Sequence, residues 1–217
     1  MNKTTQLLLI SFLALSLSSC QTAYFSALEK VGFHKRDILV KRVDSARSAQ
    51  GEAKEQFSSA LEQFTTVLNV EETELSEAYE KLQGSFDNSE SQAKKVSKRI
   101  NQVESVALAL FDEWEDELDV YKSARLRENS QSKLDSTKVR YEKLITAMRQ
   151  AEGKMEPVLG AFRDQVLYLK HNLNAQAVSS LQDELVKIEE NVVILIREME
   201  QSMAEADSFM KSVDASA

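Results

Sequence analysis

The residues able to do chemistry are few, and their spacing brings few of them together. The only histidines are His34 and His171, separated by most of the chain, and the only cysteine is Cys20. A zinc site or a Cys/His nucleophile needs several such groups converging, so neither can be assembled. His171 follows Lys170 near the end of a helical stretch, where a cation opposes the negative dipole end and needs no catalytic explanation. Gly153-Lys154 is followed by Met155, and Met148 stands where the first glycine of a phosphate loop would be, so nucleotide hydrolysis has no motif. The densest group is the acidic run Asp112, Glu113, Glu115, Asp116, Glu117 and Asp119 around Trp114 and Leu118. Calcium loops need glycine and ligands alternating on a turn, and glycosidase carboxylates face each other across a cleft. Here consecutive helical positions turn the acids outward, while Phe111, Trp114, Leu118 and Tyr121 are expected to face inward. The run reads as a solvated face or as a docking face for a basic partner. No catalytic residue, metal ligand or cofactor is expected, and the chain reads as a non-enzyme.

Cys20 belongs to a different chemistry. Lys3 and the free amine make a short positive region, Leu7 to Leu17 is apolar except for hydroxyls, and the stretch closes on Leu17, Ser18, Ser19 and Cys20. It is too short for a permanent transmembrane helix and resembles the signal-peptidase motif of bacterial lipoproteins. That resemblance implies a signal peptide over 1–19, cleavage before Cys20, and acylation of Cys20 with palmitate-type chains. Acylation also removes the hazard of an unpaired thiol in an exported protein, and more than one acyl chain makes a stable anchor. Gln21 replaces the aspartate that retains enteric lipoproteins at the inner membrane, which implies the periplasmic face of the outer membrane; an inner-membrane lipoprotein or a soluble periplasmic protein are the alternatives. Cleavage would remove one basic side chain from a chain whose net charge is already −8. An acidic body is poorly matched to nucleic acid, so none is expected as a partner.

The elements that must carry these residues follow from composition. Only five Gly and one Pro occur in 217 residues, which disfavours Rossmann, P-loop, sandwich and barrel folds, all of which need frequent turns. Apolar residues instead recur at steps of four and three. The first seam runs Leu39, Val43, Ala46, Gln50, Ala53, Phe57, Ala60, Phe64 and Val67, with Phe25, Leu28 and Val31 on a looser face upstream. The second runs from Leu75 through Phe86, Ser89, Val96, Ile100 and Ala107 to Trp114, without losing phase at Gly84. The third passes Leu134, Lys138, Tyr141, Ile145, Met148, Glu152, Met155, Leu159, Phe162, Val166 and Leu169. Pro157 predicts a kink within it, and Gly160 room for another helix. The fourth passes Val178, Leu181, Leu185, Ile188, Val192, Leu195, Met199, Ser202, Ala206, Met210 and Val213. Gln50, Lys138 and Glu152 are polar at seam positions, where such residues fix register.

The expected fold is all-α: an elongated antiparallel four-helix bundle or coiled coil over 20–217, with helices at about 24–68, 71–121, 124–171 and 175–213 and a rod roughly 70 Å long. Oligomeric state stays open.

Three stretches resemble a known family. They are Ile38 to Phe64, with Val43-Asp44-Ser45-Ala46-Arg47 and Glu55-Gln56-Phe57; Ala109 to Leu118; and Glu156 to Leu181, with Arg163-Asp164-Gln165-Val166-Leu167-Tyr168-Leu169-Lys170-His171-Asn172-Leu173-Asn174. They are similar to an uncharacterised domain-of-unknown-function family of Gram-negative bacterial helical lipoproteins. The resemblance spans nearly all of the chain after the signal and implies helices and an envelope location, with no catalytic motif to carry over. The functional expectation is a lipid-anchored periplasmic scaffold, spacer or docking protein of the outer membrane with an envelope protein as partner. The alternative is a helical-bundle binding module for a hydrophobic ligand or envelope peptide.

Overall fold

The computed structural model describes residues 34–214. The signal sequence, Leu17, Ser18, Ser19, the lipidation residue Cys20, and Phe25, Leu28 and Val31 lie outside the described residues.

The described chain is all-helical. Helix α1 spans Lys35–Val67, a 3-10 turn follows at Glu72–Glu74, α2 spans Leu75–Leu118, α3 Ala124–His171 and α4 Ala175–Asp214. No described helix is long and apolar enough to cross a membrane. The helix ends carry their own punctuation. Asp37 lies in the first turn of α1, against the positive dipole end. Past its last turn, the Asn69 side-chain amide donates to Thr65 O at 2.7 Å and its backbone amide to Thr66 O at 3.0 Å, covering carbonyls that the helix leaves open. Asn172 does the same after α3, donating to Tyr168 O at 2.9 Å. Asn174 works on the next helix: its Oδ1 accepts from Ala177 N at 2.9 Å, the geometry of an α4 N-cap. Lys170 and His171 occupy the last turn of α3, where positive charge opposes the dipole.

By packing, the described residues divide into two compact units, 34–42 with 102–138 and 43–101 with 139–214. In the second unit, Ala46, Ala53, Phe57, Ala60, Phe64 and Val67 of α1 are fully buried. So are Leu82, Ser89, Val96 and Ile100 of α2, Met148 and Phe162 of α3, and Val192, Leu195, Met199, Ser202 and Ala206 of α4. Phe64 and Phe162 meet edge to face with centroids 6.3 Å apart, an arrangement that adds about 0.5–1.5 kcal/mol to the burial of each ring. Three helix boundaries of this unit are clasped by polar pairs. Between α1 and α2, Lys95 pairs with Glu52, and Gln56 Nε2 donates to Ser85 O at 3.1 Å. Between α2 and α3, Arg163 pairs with Glu90 at 2.8 Å and Arg149 Nη2 donates to Asn101 Oδ1 at 2.7 Å. Between α1 and α4, Arg47 pairs with Asp207 at 2.6 Å and Lys54 with Glu200 at 3.4 Å. In each case the residue number falls on one helix as it rises on the other, so these neighbours run antiparallel.

In the first unit, the start of α1, the end of α2 and the start of α3 contribute Leu39, Val103, Val106, Ala107, Phe111, Leu118 and Leu134 to the buried side.

Sequence expectations change at several positions. Tyr121, expected to face inward, is 41% exposed, because α2 stops at Leu118 and Tyr121 stands in the turn after it. On α3, Leu144 is buried and Ile145 only half-buried; on α4, Phe209 is buried and Met210 half-buried. The buried stripe of a core-facing helix is wider than two positions per heptad, so the residue beside a seam position can be the deeper one; the seam keeps its phase on either side, with Tyr141, Met148, Ala206 and Val213 buried. A Cβ added at Gly160 would meet no atom within 4 Å, so no helix approaches there. The close glycine is Gly51, where the added Cβ would lie 3.7 Å from Met203 Sδ.

Candidate functional site

The acidic run divides by partner. Glu113 Oε2 lies 2.9 Å from the Lys35 ammonium, whose side chain is only 5% exposed. Glu115 pairs with Lys138, and that ammonium also sits 5.6 Å from the Phe111 ring centroid, over its negative face. Asp119 takes Arg127 at 3.0 Å. Asp112, Asp116 and Glu117 are exposed and make no ion pair among the described residues. Phe111 and Leu118 are buried as their spacing requires, and half-buried Trp114 donates its indole N–H to Ser130 Oγ at 2.8 Å, which ties the centre of the run to α3. The first unit thus neutralises three acids with bases from α1 and α3 and leaves three in water. Spacing within α2 marks the run, but its pairing partners lie on other elements and carry no local signal.

The polar seam positions also find partners. Gln50 is fully buried, and its Oε1 accepts from Ser202 Oγ at 2.9 Å. Glu152 accepts from Ser97 Oγ at 2.5 Å and from Arg149 Nη1 at 2.6 Å, and Arg149 reaches on to Asn101. This Ser97–Glu152–Arg149–Asn101 chain joins α2 to α3, and only Glu152 is conspicuous in the sequence. Lys138 belongs to the acidic run as described.

The remaining candidates stay apart. His34 is exposed just before α1, its carbonyl accepting from Ile38 N at 3.1 Å. His171 is exposed as the last residue of α3. Gly153 and Lys154 are exposed on continuous α3 helix, so the backbone amides there are committed to the helix and form no phosphate cradle. Among the described residues no group of three His, Cys, Asp or Glu side chains could hold a metal ion.

Electrostatics follow contact rather than burial. The Lys95 hydrogen bond, then its charge, holds the Glu52 carboxyl below the ordinary carboxylate value. Lys81 does the same to Glu77, and is itself raised by it. Arg163 is raised first by its hydrogen bond to Glu90, and its guanidinium also lies 5.8 Å from the Phe86 ring centroid. These shifts all belong to ion pairs that tie or decorate helices.

Two clefts lie between α3 and α4 in the second unit. One, of about 430 Å³, is lined by Val139, Glu142, Lys143, Thr146, Ala147, Gln150, Gln201 and Glu205. The other, of about 590 Å³, is lined by Arg149, Gln150, Gly153, Lys154, Glu198 and Gln201.

Neither the curated proteins nor the solved structures contain a match to this sequence. The family model described as protein of unknown function, DUF2959, matches residues 24–213, and by that match the chain belongs to the DUF2959 family.

Proposed function

We propose that this protein is a non-catalytic, lipid-anchored scaffold or docking protein on the periplasmic face of the outer membrane, its helices packed as an antiparallel four-helix bundle. The observation that carries this reading is the position of the sole cysteine, directly after Leu17-Ser18-Ser19 and ahead of a chain built from four long helices. A diacylated Cys20 would tether the helices stably without a membrane span. Ion pairs along the helix boundaries suit a body that holds its surface in a fixed form, and the unpaired acids Asp112, Asp116 and Glu117 offer a basic envelope partner a charged edge. An acidic chain repels nucleic acid, so the partner is a protein.

The test is metabolic labelling with radiolabelled palmitate in cells that make the protein, followed by separation of inner and outer membranes by density. Label in the outer-membrane fraction that disappears in Cys20→Ser supports the reading. Label that persists in Cys20→Ser, or a wild-type protein that never takes up label, overturns it.

A further inference from the structure

The α3–α4 boundary of the second unit differs from the other three. Lys143, Gln150, Lys154, Gln201 and Glu205 line its clefts, yet none of the five makes an ion pair or side-chain hydrogen bond among the described residues. The charges are also ordered. All three bases of the two clefts, Lys143, Arg149 and Lys154, are on α3, and Glu198 and Glu205 are on α4. Glu142, on α3, completes a count of three bases and three acids, so the surface is locally neutral on a chain of net charge −8.

We propose that this face is where two copies of the chain associate, about a two-fold axis parallel to α3 and α4. Gln150 and Gln201 line both clefts, so they mark one level along the pair. Lys143 and Glu205 share the first cleft, and Lys154 and Glu198 share the second. A two-fold axis along the helices keeps each level and lays α3 of one copy on α4 of the other. Lys143 then meets Glu205 of the second copy, Lys154 meets Glu198, and the Gln150 amide meets the Gln201 amide, each contact made twice, as an isologous interface requires. Val139, 54% exposed at the first cleft, is drawn out of water in the same contact. The occupant is a second copy because the match is self-complementary. A strongly acidic or strongly basic partner would find equal numbers of opposed charges, and two copies meeting elsewhere would carry their like net charge into the contact.

The full chain, purified in detergent, is examined by sedimentation equilibrium in a density-matched solvent, with circular dichroism to confirm unchanged helix content. The expected result is a reversible monomer–dimer equilibrium weakened by salt. Lys143→Glu alone and Glu205→Lys alone should each raise the dissociation constant at least about tenfold. The double variant restores opposed charges across the axis and should return the constant to within about threefold of the original. A protein that stays monomeric throughout the accessible concentration range overturns the proposal. So does a dimer that neither single reversal weakens, or one that the double variant weakens further. These outcomes concern residues remote from Cys20, so they do not depend on the lipid-anchor reading.

Discussion

Ser202 on α4 donates its hydroxyl to Gln50 Oε1 on α1 at 2.9 Å with both side chains wholly excluded from solvent, and the Gln50 amide nitrogen has no hydrogen-bond partner among the described residues. A half-satisfied polar pair in an otherwise apolar seam costs stability, and in helical seams such pairs fix register. Removing one partner should therefore hurt more than removing both. Ser202→Ala leaves Gln50 with neither end bonded and should cost about 1–3 kcal/mol. Gln50→Leu keeps volume, and the freed Ser202 hydroxyl can turn to its own helix backbone, so the cost should be smaller. The double variant should be near neutral or more stable than the parent. Urea unfolding of all four proteins gives the coupling energy, and strict additivity would mean that the pair does not act as a unit.

The fully buried seam of α1 gives a second prediction. Phe57 has no exposed surface, and an aspartate there would put an unpaired charge among packed side chains. Phe57→Asp should cost several kcal/mol, and Phe64→Ala, which also removes the edge-to-face contact with Phe162, about 3–5 kcal/mol. The thermal midpoint followed by circular dichroism measures both, and a silent Phe57→Asp would refute the packing of α1.

Phe57 and Phe64 were legible because their four-three spacing fixes a face whatever the neighbour is. The same arithmetic misplaces Ile145 and Met210, where Leu144 and Phe209 take the buried position, since the stripe a helix buries is wider than two positions per heptad and spacing alone does not rank neighbours within it. Gln50 stood out as a polar residue in a seam, but nothing local names Ser202 as its partner, 152 positions away. The acidic run was visible for the same reason that its pairing was not: composition shows the charges, while Lys35, Arg127 and Lys138 reach them from other helices. The exposure of Tyr121 is not legible in the spacing, because a helix end costs a seam its last member, and no glycine or proline marks the turn after Leu118.

The depressed Glu52 carboxyl predicts a pH effect of known sign. Lys95 holds it below its ordinary value of 4.5 in the folded chain, so the unfolded chain takes up the proton at higher pH. The stabilisation is complete above 4.5 and is lost as pH falls through the lower folded value. Glu52→Gln should accordingly narrow the difference in unfolding free energy between pH 7 and pH 3 relative to the parent. The pair is exposed, so the change should be small and should shrink in high salt. A wider difference in Glu52→Gln would reverse the assignment.

Partner geometry ranks the acids of the run. Glu113→Gln removes the negative charge beside a Lys35 ammonium that is nearly out of solvent, and should cost about 1 kcal/mol. Glu115→Lys places a second cation beside Lys138, which shares its charge with the Phe111 ring; the pair is exposed, so the cost should stay at or below about 1 kcal/mol. Glu117→Gln, with no ion pair among the described residues and open to water, should change stability by less than about 0.5 kcal/mol. Chemical unfolding of the three variants gives the order directly. The same three proteins separate stability from docking, because a basic partner bound through charge should respond to Glu117→Gln as strongly as to the others. If Glu117→Gln weakens capture of a cellular partner while leaving unfolding unchanged, the exposed acids form a contact surface. If partner capture follows stability through the series instead, the run serves the fold alone, its acids holding the start of α1 and the start of α3 against the end of α2.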